Sequence, residues 1–152
     1  MPTRFSSVAD IEAHVGKVLG SSEYREMPFS QIVAFAEATG DHQWIHVDRE
    51  KAENGPFGAP IAHGYLTLSL VAGLFSEVLE LDGFKMIINY GCNKVRFPNP
   101  MKENARYRLT LELQSFRPVK DWIEMIMGAA IEVEGEDKPA VFAEVVFRVL
   151  PE

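Results

Sequence analysis

The sequence predicts an α+β fold in which an antiparallel sheet packs on one long helix. Three observations predict it. Apolar residues recur at helical spacing from Leu66 to Leu79. From Lys85 onwards the apolar period falls from about 3.6 residues to 2. The strand-like runs are joined by short connections, so neighbouring strands run antiparallel.

Taken in chain order, residues 8–18, VADIEAHVGKV, read as a short amphipathic helix, and residues 22–27 as a strand. Ser30 reads as the N-cap of QIVAFAEATG, with Gly40 as its terminator and Ile32, Val33, Phe35 and Ala36 turned inward. Asp48 is placed to cap a short helix through REKAEN, and GPFGAPIA is a loop by its glycine and proline content. Residues 63–81 then form the long helix. Leu66, Leu70, Leu74 and Val78 make one stripe, and Val71, Phe75 and Leu79 the next, a face wide enough to imply burial.

Four runs follow with strand character. KMIINYGCNKVRF ends at the breaker PNP. In ARYRLTLELQSF, Ala105, Tyr107, Leu109, Leu111 and Leu113 alternate with Arg106, Arg108, Thr110, Glu112 and Gln114. Residues 122–134 alternate in the same way through Ile123, Met125, Met127, Ala129, Ile131 and Val133. After the turn GEDK, residues 140–150 are apolar on both faces, Phe142 and Val146 opposing Val141, Val145 and Phe147. One helix does not cover two faces, so a homodimer is expected.

A chain of 152 residues points to a single domain, 1–152, able to bury roughly 70% of its unfolded surface without disulfides or structural metal. Its single cysteine, Cys92, forms no internal disulfide, which favours a reducing, cytoplasmic compartment. The N-terminal MPTRFSSVADIEAHVG has no apolar core of a secretory signal. The most apolar stretch, Ala59 to Phe75, is short for a bilayer span and carries Thr67 and Ser69. A formal net charge of −7 argues against nucleic-acid and anionic-membrane partners, but leaves room for a small anionic ligand held by a few local cations.

Two segments carry chemistry: FAEATGDHQWIHVD, residues 35–48, and APIAHGYLTLS, residues 59–69. If Gly40 ends a helix, Asp41 and His46 flank a turn that can bring a carboxylate and an imidazole to one water molecule. Such acid/base participation is worth ~10²–10⁴-fold in rate. Trp44 and Ile45 would wall the water off from solvent. The alternative is a loop acid satisfying backbone amides and a structural histidine. At His63-Gly64 a helix begins, and its first amides point along the positive end of the dipole, where a carbonyl oxygen would be polarised. Gly64 lets a ligand approach the backbone, or only lets helix and sheet pack closely. A metal reading rests on His42 and His46 at i, i+4, with His63 as a third ligand. Gln43 stands where the zinc-protease signature HExxH needs its glutamate, and Gly40 argues against a continuing helix, so no metal and no other cofactor is expected.

Together, GDHQWIH and APIAHG followed by a long apolar helix resemble the hydratase-2 motif of the MaoC-like dehydratases, which are (R)-specific enoyl-CoA hydratases. NYGCNKVRFPNP is similar to the strand segment of single-domain, NodN-type members. The resemblance implies a hotdog fold, a long central helix wrapped by a curved antiparallel sheet, usually dimeric. It implies Asp41 and His46 as the catalytic pair and the Gly64 N–H as donor to the thioester oxygen. Water would add across a trans-2-enoyl thioester, or leave an (R)-3-hydroxyacyl thioester in reverse. Where the family commonly carries Asn-Pro, this chain has Gln43-Trp44. These two, with His63 and Arg96, are the expected substrate contacts. The substrate would be an enoyl thioester of CoA or of an acyl carrier protein. Lys94, Arg96, Lys102, Arg106 and Arg108 are candidates for its phosphates, or simply a solvated sheet face. Met86, Met125, Met127 and Phe142 line an acyl tunnel on one reading and fill the core on another. A non-catalytic thioester-binding protein and a hotdog thioesterase are the competing functions.

Overall fold

The computed structural model describes residues 1–152. In chain order its elements are β1 (Thr3–Phe5), α1 (Val8–His14), β2 (Lys17–Ser21), β3 (Arg25–Glu26), α2 (Phe29–Thr39), α3 (Trp44–Val47), α4 (Arg49–Glu53), α5 (Gly64–Val78), β4 (Leu79–Leu81), β5 (Phe84–Arg96), β6 (Arg106–Val119), β7 (Trp122–Val133) and β8 (Val141–Pro151). The main sheet runs β2-β6-β7-β8-β5, with β3 also paired to β6, and all its pairings are antiparallel. β1 and β4 form a small parallel pair beside it.

The long helix and the four long strands appear where the periodicity puts them. The differences lie at boundaries. Helix α1 stops at His14 instead of residue 18, because Gly16 adopts a left-handed conformation (φ 78°) and the chain leaves as β2, a strand the periodicity did not reveal. The strand at 22–27 shrinks to two residues. α2 is capped by Pro28, not Ser30, with no side-chain cap, while Gly40 terminates it in the αL conformation (φ 81°). Asp48 does cap α4, accepting from the Lys51 N–H. α5 starts at Gly64, one residue after the expected start, and ends at Val78, since Leu79–Leu81 pairs with β1 and so leaves the helical pattern.

α5 lies against β2, β6, β7 and β8. Leu66, Leu70, Val71, Leu74 and Val78 of the helix meet Leu109, Leu111, Leu113, Met125, Met127, Val145 and Val149 in one contiguous core. Met125 and Met127 are fully buried, so they are core and not tunnel, whereas Met86 and Phe142 stand exposed. The second apolar face of β8 is partly covered from within the chain. Val146 lies under a network in which the Glu124 carboxylate accepts from Arg117 and Arg148, and Arg148 rests over the Tyr90 ring at 3.6 Å. The uncovered element is β5, an edge strand whose Met86, Ile87, Ile88 and Tyr90 are all exposed. No helix is long and apolar enough to cross a membrane.

Candidate active site

The αL turn at Gly40 reverses the chain and releases Asp41 into a tight bend, where its Oδ1 accepts from the Gln43 N–H at 3.3 Å. The bend leads straight into α3, which has His46 in its single turn. Asp41 is exposed, while His46 is only 6% exposed. Opposite them, residues 60–62 are pinned on both sides. The Ile61 N–H donates to the Ile45 carbonyl (3.1 Å), the Ala62 N–H to the Met101 carbonyl (2.7 Å), and the Glu103 N–H to the Pro60 carbonyl (2.9 Å). This strap ends at His63, whose carbonyl takes the first bond of α5, from the Thr67 N–H.

The strap fixes the chemistry of His46. Its Nδ1–H donates to the Ile61 carbonyl at 2.6 Å, which assigns the proton to Nδ1 and leaves Nε2 as the free, basic nitrogen. Burial holds its pKa below the usual imidazole range, against the opposing pull of the Ile61 carbonyl, and His63 pushes it the same way as burial. Neutral His46 is thus a proton acceptor at neutral pH. The base form survives below pH ~6.5, the ordinary imidazole value. The acid limb of kcat/KM, which reports the free enzyme's base, should therefore fall below that value. A limb above it would contradict the assignment.

One ligating atom each from Asp41, His46 and His63 lies within 4.8 Å of the others. The third member is the histidine expected as a substrate contact, and it is 2% exposed. Its ring stacks on His46 at 3.8 Å between centroids and 22° between planes. One nitrogen of each ring serves a backbone carbonyl, which fixes its orientation and leaves Nε2 of His46 and Nδ1 of His63 as the remaining nitrogens. His42 stands apart from this cluster, ahead of α3 with its Nδ1 3.8 Å from the Glu37 carboxylate, so the i, i+4 ligand pair does not form.

A cleft of about 450 Å³ joins His46 to Gly64, lined also by Ile45, Phe57, Thr67 and Phe97. Gly64 is the first residue of α5, so its N–H has no intrahelical acceptor. A Cβ built on Gly64 would meet the Phe97 ring at 3.1 Å. Close packing and access to the amide both call for glycine here.

The remaining expected contacts lie off this cleft. Trp44 lines a separate depression with Asp48, Glu50, Lys51 and Asn54, its ring packed where a side chain at Gly55 would be. It occupies the first helical position, where proline is favoured for its fixed φ. Packing against α4 supplies the restraint that a proline ring would give. Gln43 is exposed at the N-cap of α3. Arg96 is exposed and donates to its neighbour's carbonyl, Val95, at 2.7 Å, with Phe97 the next residue and the first of that segment to reach the cleft. Arg106 and Arg108 pair with Glu134 and Glu132 beside Tyr24 on the outer sheet face. Two working parts escaped the sequence reading. The Ile61 carbonyl is backbone and leaves no side-chain signal, and Phe97 looked like the end of a strand.

Residues 10–134 match the sequence profile described as "MaoC like domain". The 3-hydroxyacyl-thioester dehydratase Z of Mycobacterium tuberculosis is 43% identical over 145 residues, covering 95% of this chain and 96% of that protein. Nodulation protein N of Rhizobium leguminosarum bv. viciae is 39% identical, covering 90% and 87%. Among solved structures, the MaoC-like dehydratase from Rhodospirillum rubrum superposes with a TM-score of 0.76 at 23% identity, covering 91% of this chain and 93% of that one. R-hydratase PhaJ1 from Pseudomonas aeruginosa superposes with a TM-score of 0.71 at 25% identity, covering 91% and 83%. The likeness extends over the hotdog fold as a whole.

Proposed function

The chain belongs to the MaoC-like dehydratase family, and from that premise we propose that it is an (R)-specific 2-enoyl-thioester hydratase, working in either direction as a single domain of residues 1–152. The observation that carries this reading is the neutral His46, its Nε2 free and one of its ring nitrogens within 4.8 Å of the Asp41 carboxylate, in a cleft shared with Gly64, the first residue of α5. One water held by Asp41 and His46 attacks the β-carbon of a trans-2-enoyl thioester. It yields its proton to the pair as the C–O bond forms, the alkene electrons move to the thioester oxygen, and the Gly64 N–H stabilises the enolate-like oxygen. The pair then returns the proton to the α-carbon, giving the (R)-3-hydroxyacyl thioester. Dehydration is the same path reversed.

The test supplies a short trans-2-enoyl-CoA and follows the conjugated alkene and free thiol together. Loss of alkene without thiol supports the hydratase. Release of thiol would transfer the reaction to the thioester carbonyl, and binding without either change would leave only a carrier.

A second copy of the chain is part of this proposal. β5 is a 13-residue edge strand with its backbone groups open on one side and apolar residues exposed on both faces. Unprotected edges of this length pair with another chain. Light scattering should give twice the chain mass of 17.1 kDa, and Ile88→Lys should shift the population to monomer. A monomeric native chain would refute it. The single, exposed thiol of Cys92 accords with action in the cytoplasm.

A further inference from the structure

We propose that His63 is the positioning residue of this site, locking Asp41 and His46 into register with the Gly64 amide. The inference rests on the hydratase reading for its kinetics, but its geometry stands apart from it. His63 touches every part that must be aligned. Its Nε2–H donates to the backbone carbonyl of Asp41 at 2.9 Å. One ring face lies on His46, and the ring also packs on Phe35 of α2 at 4.9 Å between centroids. Its own carbonyl opens α5, and the next residue, Gly64, lines the cleft.

The two histidines hold opposite tautomers, each set by a backbone carbonyl from the other's segment. His46, on α3, reads the strap through Ile61, and His63, at the end of the strap, reads the bend through Asp41. The pair of bonds crosses over and ties 41–46 to 61–64 at two points. The backbone bond from Ile61 to Ile45 joins the same segments, but the bond from His63 is the one that reaches from 61–64 to the bend at Asp41, whose side chain is exposed. The second nitrogen of His63, Nδ1, is buried and has no partner within the protein. His63 is bonded to the bend that carries Asp41 and stacked on His46, and it does not itself line the cleft, so it acts through that pair.

Two substitutions separate its parts. His63→Phe keeps a flat ring against His46 and removes the donor. His63→Gln removes the ring and keeps an amide N–H able to reach the Asp41 carbonyl. Displacement of reacting groups by about 1 Å costs up to ~10²-fold, so kcat for enoyl-CoA hydration should fall by tens-fold in His63→Phe with KM little changed, and recover in large part in His63→Gln. The His46 ring-proton titration, followed by NMR, supplies a readout independent of turnover. The titratable groups facing His46 are Asp41, from the bend, and His63, from the tip of α5. Without His63 the midpoint of His46 should move to higher pH. Unchanged kcat in His63→Phe would overturn the proposal. So would equal losses in both variants accompanied by matched losses of thermal stability, which describe a core residue. If the native chain shows no hydratase activity at all, the functional reading falls. The His46 midpoint then decides alone: a rise upholds the coupling, and no movement refutes it.

Discussion

His46→Asn is expected to lower the rate of enoyl-thioester hydration by ~10²–10⁴-fold while leaving the fold intact. Asparagine is chosen because its Nδ2 sits where the imidazole Nδ1 sits, so the bond to the Ile61 carbonyl survives. What disappears is Nε2, the one nitrogen with a free lone pair. Asp41→Asn tests the partner. Asp41 is exposed and its backbone carbonyl, not its carboxylate, anchors the bend to His63, so the substitution removes charge without loosening the turn. Groups that act as a unit lose most of their effect with the first deletion. The double variant should therefore be barely slower than either single one. The measurement is initial alkene loss with a short trans-2-enoyl-CoA, beside a thermal melt. A His46→Asn enzyme that works at the native rate would remove the chemistry from this site altogether.

Much of this site was legible because its signals are local. Gly40 followed by Asp41 is a helix stop and a bend, and the structure has both, since an αL residue is what lets the chain turn within one residue. His63-Gly64 at the head of an apolar run is the start of a buried helix for the same kind of reason. The bonds that give each side chain its role are non-local and run to backbone atoms, which every residue possesses. No spacing says that His46 will find the carbonyl of residue 61 or that His63 will find that of residue 41. Trp44 shows a different limit. An indole beside a catalytic bend reads as a pocket wall, but helix geometry turns it away from His46 and onto Gly55. Sheet order was likewise open to the eye only in part. Period-two alternation revealed β6 and β7, yet β2 is short and carries a bulge between Val18 and Gly20, so its alternation never repeats often enough to register.

Gly64→Ala should separate stability from catalysis by moving them in opposite directions. Alanine is the better helix former, by less at this first position than the ~1 kcal/mol of a helix interior, and Gly64 does not occupy a left-handed conformation, so the backbone accepts it. The amide N–H also remains. Yet the new methyl lies 3.1 Å from three carbons of the Phe97 ring, tighter than ordinary contact. The ring is 44% exposed and free to give way on its outer side. Melting temperature should therefore hold or rise slightly. Turnover should not, because the methyl and the displaced ring both intrude on the approach to the first amide of α5. Losing a single oxyanion donor costs ~10²–10³-fold, and crowding one should approach the lower figure. The companion Gly64→Ala, Phe97→Ala enzyme removes the collision. Recovery there would mean that the ring's new position was the obstacle, while a persistent deficit would mean that the methyl itself keeps the thioester from the amide. Full activity in Gly64→Ala alone would mean that this helix tip does not hold the thioester, and the polarising donor would have to be sought elsewhere along the cleft.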